Sequence, residues 1–309
     1  MGWAHPKGPL AEGIRLFYAK SPVSPNIRPG ILPTAKKGGD LSYPYGSAFV
    51  PFTLAHPAAA VPFRRWGLIV SALVMGAVAP DFEYFIRLEP HGRFGHQMPW
   101  VLLITFPGAL VALWVFHAGV KRGLAALLPL SAQRRLQPYL GNFCFGGGKR
   151  FALIAASIAI GIASHLLWDV FTHRDSLVYQ HWMWLQSEID FPALERSMPV
   201  YRILQLLSSL VGCLVLVFWT WLWWVRAPEW PTPVRAEWPA GMRAAILTMT
   251  VVLSVLCGVM RAAGISGHSL FQRTGIAVVT AISAAIVEAL VLGLAWELTH
   301  PRGTISARL

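Results

Sequence analysis

Charge is scarce in this chain of 309 residues. Asp, Glu, Lys and Arg make up 13% of it and hydrophobic residues 55%; a soluble globular domain carries about 25% charged residues, so a soluble fold is disfavoured from the start. Acidic residues are the scarcer sign, 14 against 26 Lys and Arg. Cysteine is nearly absent. Cys144, Cys213 and Cys257 stand alone without CxxC spacing, which removes a disulfide framework and a thiolate zinc site from consideration. Also missing are GxSxG, HExxH, a Walker loop and a GxGxxG following a strand. No transporter-type internal repeat is visible, which disfavours an alternating-access carrier. No basic stripe interleaves with aromatics, so nucleic acid is not the expected partner. The formal charge of +12 reads instead as membrane topology and contact with anionic lipid.

What the chain has is long apolar runs. Residues 98 to 118, 151 to 172, 203 to 225, 244 to 263 and 275 to 296 each approach the roughly 20 residues that cross a hydrocarbon core as helix. A sixth run, 66 to 80, is short and spans only if extended, or re-enters. The expected fold is all-α: a polytopic integral membrane helical bundle of about six transmembrane or re-entrant helices, formed by a single domain at 50–300 with a basic tail at 301–309. Trp219, Trp221, Trp223 and Trp224 suit an interfacial belt. The segment between the 98–118 and 151–172 runs carries Lys121, Arg122, Arg134, Arg135, Lys149 and Arg150 with no acid, which marks it as cytoplasmic. The loop after His173, with Glu188 and Asp190, then falls outside.

Residues 1–49 differ in kind. They are rich in Pro, Gly, Lys and Arg, without apolar periodicity and without the core of a signal peptide. Two readings are open: an over-long start whose true product begins near Val50, or a disordered cytoplasmic tail.

The search for chemistry converges on His and Asp. Within FALIAASIAIGIASHLLWDVFTHRD, His165, Asp169 and His173 fall at four-residue steps, which advance by about 40° each on a helix and stack the three side chains on one face. An aspartate at the centre of a membrane helix costs about 2.5 to 3.5 kcal/mol on insertion scales, so it marks a functional site by default. Three further clusters lie at the ends of apolar segments: Thr53 and His56 in TLAHP, Asp81 and Glu83 in APDFEYF, and His91 and His96 in HGRFGHQMP. His181 follows soon after the helix. Imidazole and carboxylate together suit zinc and similar divalent ions. The bland readings differ by residue. His117, His268 and His300 are interfacial histidines, Asp81 is a helix cap, and His165 with Asp169 is a buried pair that locks helices.

PFTLAHPAA, APDFEYF and SHLLWDVFTHRD resemble an uncharacterised bacterial membrane family, domain of unknown function family 4184, over roughly residues 50 to 225. More remotely, an early His, then Pro-Asp, a loop His and SHxxxD is similar to inner-membrane-bound metal-dependent hydrolases and to zinc-dependent phospholipase C. The resemblance implies metal ligation by His56, Asp81, His96, His165 and Asp169, with His173 in register and His181 as a further nitrogen. It implies a position beside the ligands for Glu83. The chain departs from the hydrolase pattern at Gln97, where a serine follows the histidine. The implied localisation is the bacterial inner membrane, multi-pass.

One straight helix over 58 to 80 would put His56 and Asp81 on opposite sides of the membrane. Pro62 and Arg64-Arg65 can break it into a hairpin that returns Asp81 to His56. Such a hairpin removes one crossing and leaves the side of the site open. The expected function is a membrane-embedded metal-dependent hydrolase that uses a zinc-like divalent ion on a phosphodiester or lipid-linked substrate. The alternative is a non-catalytic multi-pass protein or small permease whose His and Asp form a structural or proton-conducting network. The sequence leaves the oligomeric state open.

Overall fold

A computed structural model describes residues 53–90, 92, 94–173, 176–192, 196–231 and 238–300. The 1–49 extension, His91 and the 301–309 tail lie outside them. After a 3-10 turn at Thr53–Ala55 the chain enters a short helix α1 (Pro57–Ala60), then a second 3-10 stretch, Val61–Trp66. Pro57 opens α1, where its missing N–H costs nothing. The 3-10 stretch ends at Gly67, in the left-handed region at φ 77°. The chain turns back there into α2 (Val70–Val78), a 3-10 turn at Ala79–Asp81 and α3 (Phe82–Arg87). The 66–80 run is therefore not a span: α2 has nine residues, about 13 Å of helix.

The remaining chain is built from long helices. α4 runs Val101–Leu127 as one continuous helix interrupted by π-turns at Val101–Thr105 and Phe116–Val120. After α5 (Leu130–Leu136) come α6 (Gly148–Thr172) and the short α7 (Leu177–His181) and α8 (Met183–Gln186). An antiparallel hairpin follows, β1 (Glu188–Phe191) with β2 (Arg196–Pro199), Glu188 facing Pro199 and Phe191 facing Arg196. Three more helices close the chain: α9 (Val200–Arg226), α10 (Ala240–Ala263) and α11 (Leu270–Thr299). Pro199 and Pro239 precede α9 and α10. At the start of α11, Ser269 and Gln272 form a capping box. Five helices are long and apolar enough to cross a membrane: α4, α6 with its extension, α9, α10 and α11. Their outward faces carry large apolar residues such as Leu214, Phe218, Val252 and Val291, as a lipid-facing surface requires.

The centre of packing is α2 against α6. Gly76 lies on the Ile158 carbonyl and Gly161 on the Leu73 carbonyl, each so close that a Cβ would collide. Small residues at such a crossing let two backbones touch in lipid. Ala72, Leu113, Ile154, Ile158 and Ile162 form the buried core around it.

The bundle has two chemically distinct ends. At one, Arg122 meets Glu297 at 3.0 Å, Arg135 donates to the Trp224 carbonyl and to Glu229, and Arg243 donates to the Leu128 carbonyl. At the other, Tyr179 packs on Tyr201, the Arg202 guanidinium lies over Phe271 and the Ser283 hydroxyl donates to the Phe85 carbonyl. His56, Asp81, His96, His165 and Asp169 gather at this second end.

Candidate metal centre

Three separate segments deliver the polar side chains. α6 presents His165 and Asp169 one turn apart on its buried face. The α1–α2 hairpin brings His56 to its base on one arm and Asp81 on the other. The loop before α4 supplies His96, held down because Gly95 rests directly on the Pro80 carbonyl. His56, Asp81, His165 and Asp169 are all buried.

The geometry places one proton on His165. Its Nδ1 lies 2.7 Å from the Ala77 carbonyl, which can only accept, so Nδ1–H donates there and Nε2 turns inward. That Nε2 faces Asp169 Oδ2 at 3.0 Å, His96 Nε2 at 3.1 Å and Asp81 Oδ1 at 3.6 Å. His96 Nε2 in turn lies 3.1 Å from Asp169 Oδ2 and 3.4 Å from Asp81 Oδ1. Both of those carboxylate oxygens are buried without a hydrogen-bond partner. Two carboxylates and two ring nitrogens this close need a cation or a shared proton among them. A tetrahedral ion with bonds of about 2.0 to 2.1 Å has ligand–ligand edges of about 3.3 Å, the scale of the separations observed. Two overlapping groups can hold a metal: His56, His165 and Asp169, and Asp81, His96 and His165.

Asp169 serves both sides of the cluster. Its Oδ1 lies 3.0 Å from His56 Nε2 and 3.3 Å from His173 Nδ1, while Oδ2 faces His96 and His165. Burial lowers the pKa of His56, the hydrogen bond to Asp169 raises it in part, and neighbouring His165 lowers it again; the net effect favours the neutral ring that a metal requires. Around the cluster, the Thr53 hydroxyl donates to Asp81 Oδ2 at 2.6 Å and leaves Oδ1 free to face inward. Glu83 accepts from the Phe94 N–H at 2.8 Å and from Arg87 at 2.9 Å, which ties the His96 loop to α3. Tyr84 stacks near-parallel on His96 with centroids 6.1 Å apart. Burial, then the charge of Asp81, holds its phenol well above the usual range.

The structure thus brings His56, Asp81, His96, His165 and Asp169 together. His173 caps α6 in extended conformation. It stands at the rim, its Nδ1 also 3.3 Å from the Asp169 carbonyl. His181 stands apart on α7, exposed, its Nδ1 bonded to the Leu177 carbonyl. Glu83 orders the loop without entering the cluster. Tyr84 and Gly95 were not singled out by sequence reasoning; Tyr84 follows Asp81 at the three-residue spacing that shares a helix face, a signal that could have found it. A family model described as Domain of unknown function (DUF4184) matches residues 50–294. No curated protein matches, and no solved structure matches.

Proposed function

We propose that this protein, which belongs to the DUF4184 family, is a membrane-embedded metal-dependent hydrolase of the bacterial inner membrane. The observation that carries the reading is the pair of buried carboxylate oxygens, Asp81 Oδ1 and Asp169 Oδ2, that face the Nε2 atoms of His96 and His165 without a hydrogen-bond partner. A mixed nitrogen and oxygen donor set of this kind favours zinc. When bound, a divalent ion there supplies an activated water and polarises a carbonyl or phosphoryl oxygen. His165 and Asp169 provide the rigid half of the site from a single helix. Asp81, held by Thr53, and His56 close it from the hairpin. His96 is its more exposed member, with about a quarter of its side chain open, so substrate approaches past His96 and His173. A site at the end of membrane spans suits a lipid head group or a lipid-linked phosphate ester. The remote resemblance of the SHxxxD helix to metal-dependent hydrolases supports the same chemistry.

Metal quantification on detergent-purified protein is the direct test. Stoichiometric zinc, or a comparable divalent ion, is the expected result, and His165→Ala should strip it while the protein still inserts in the membrane. A wild type free of metal would reject the hydrolase and leave the polar-network reading, in which a proton on His165 takes the place of the ion.

A further inference from the structure

The hairpin that carries His56 and Asp81 also carries two arginines at its opposite end. Arg64 and Arg65 occupy the last turn before Gly67 and are exposed. Among the described residues no side-chain or backbone group pairs with either guanidinium. The depth of this tip follows from two contacts. The Ile69 N–H donates to the Ser157 hydroxyl on α6 at 3.0 Å, twelve residues before Asp169 and so about 18 Å below it along the helix. Ser71 meets His117 Nε2 at 2.9 Å, and His117 is one turn, about 6 Å, from Lys121. Lys121 itself donates to the Tyr139 and Gly141 carbonyls of the basic loop. Phe143 of that loop stacks on His117. The tip therefore lies beyond the level of Ile69, toward the basic end of the bundle, with the metal-ligand cluster at the far end.

We infer that Arg64 and Arg65 bind the phosphate groups of anionic lipids in the leaflet opposite the His/Asp cluster. Arginine left in hydrocarbon is expensive and resolves the cost by reaching the headgroup layer. A guanidinium fork matches phosphate oxygens in pairs. Trp66, 71% exposed, adds the aromatic ring that settles at such an interface. The neighbouring Lys121, Arg122, Lys149 and Arg150 mark this end as the cytoplasmic one, the leaflet whose anionic lipids attract polybasic segments. The hairpin is then fastened at both ends, by ligands at its base and by lipid at its tip.

The test uses the full chain in nanodiscs of phosphatidylcholine, alone and with one quarter phosphatidylglycerol. Wild type should melt roughly 5 °C higher in the anionic discs, and R64Q/R65Q should lose most of that shift. Equal midpoints for wild type in the two lipids would overturn the inference. So would a full shift retained by R64Q/R65Q, or inorganic phosphate reproducing the shift in neutral discs. If the double variant does not fold, side-specific labelling decides. Trp66→Cys in a Cys144→Ser background should react with an impermeant maleimide from the side on which wild-type Cys144 reacts, and reaction from the other side would overturn the placement. Neither measurement reads metal, so its failure leaves the hydrolase proposal untouched.

Discussion

Asp169 is the residue on which the cluster turns, because each of its oxygens answers two imidazoles. The sequence announced it: an aspartate between two histidines at four-residue steps inside an apolar run is expensive in lipid until it meets a partner. His173 shows the limit of that periodicity. The helix ends at Thr172, so the third step of the pattern leaves the axis and puts His173 at the rim. The spacing says nothing about where a helix stops. Acidity should act on His56 in one direction. Burial lowers the pKa of His56 below the ordinary value of about 6.5, so the folded state binds fewer protons than the unfolded state between the two values. Its contribution to stability is full above the unfolded pKa and is lost as pH falls through the lowered one. Comparison of the metal-free wild type with His56→Gln between pH 8 and 5 isolates this contribution: the wild-type midpoint should fall relative to the variant's with acidification, and metal affinity should fall as ligands protonate. Glu83 acts one layer out. Glu83→Gln weakens its hold on the Phe94 N–H and Arg87 and should lower metal affinity by about 10- to 100-fold. Isothermal titration with zinc reads this, and an unchanged affinity would exclude a role for Glu83 in placing His96.

Among the elements, the α1–α2 hairpin separates what the sequence could show from what it could not. Pro62 and the arginine pair signalled a break, and a return of Asp81 to His56 was the one arrangement that let them meet. The partner of α2 was hidden. Its nine residues look like a failed span until α6 is placed beside them. The clue was glycine: Gly76 and Gly161 are unremarkable in an apolar run, and only the crossing gives them a purpose. Gly161→Leu should force the two helices apart, at a cost of about 3 kcal/mol. It should also displace His165 from the Ala77 carbonyl. Loss of metal together with a lowered melting midpoint is the expected readout, and a variant that melts normally with metal retained would disprove the close packing. The five long helices were legible because apolar length is a strong signal, although α4 continues past Lys121 and Arg122 to Leu127, where side chains reaching for the interface allow the helix to outlast the apolar run.

Taken whole, the molecule is polarised. Arg122, Arg135 and Arg243 with Glu229 and Glu297 occupy one end, and His56, Asp81, His96, His165 and Asp169 the other, where Arg87 and Arg202 also lie. Charge bias along the sequence predicted the first end, since it depends only on counting loops. The second needed tertiary structure, because His56, Asp81 and His96 come from segments whose order says nothing about their depth. A cysteine placed at exposed Gln180 on α7 should react with an impermeant reagent from the side opposite native Cys144, which is itself exposed. Labelling from a common side would break the topology.

The contact between His56 and Asp169 joins residues 113 positions apart, which bears on how the protein is made. During synthesis the first arm of the hairpin leaves the ribosome long before α6 exists to receive it. Its slot needs α6 and also α9, whose Gly212 lies against Ala55. The early segment must therefore wait, incompletely packed, and the cluster of His56 with Asp169 can close only late. If the cluster binds metal as proposed, loading would be a late step in biogenesis.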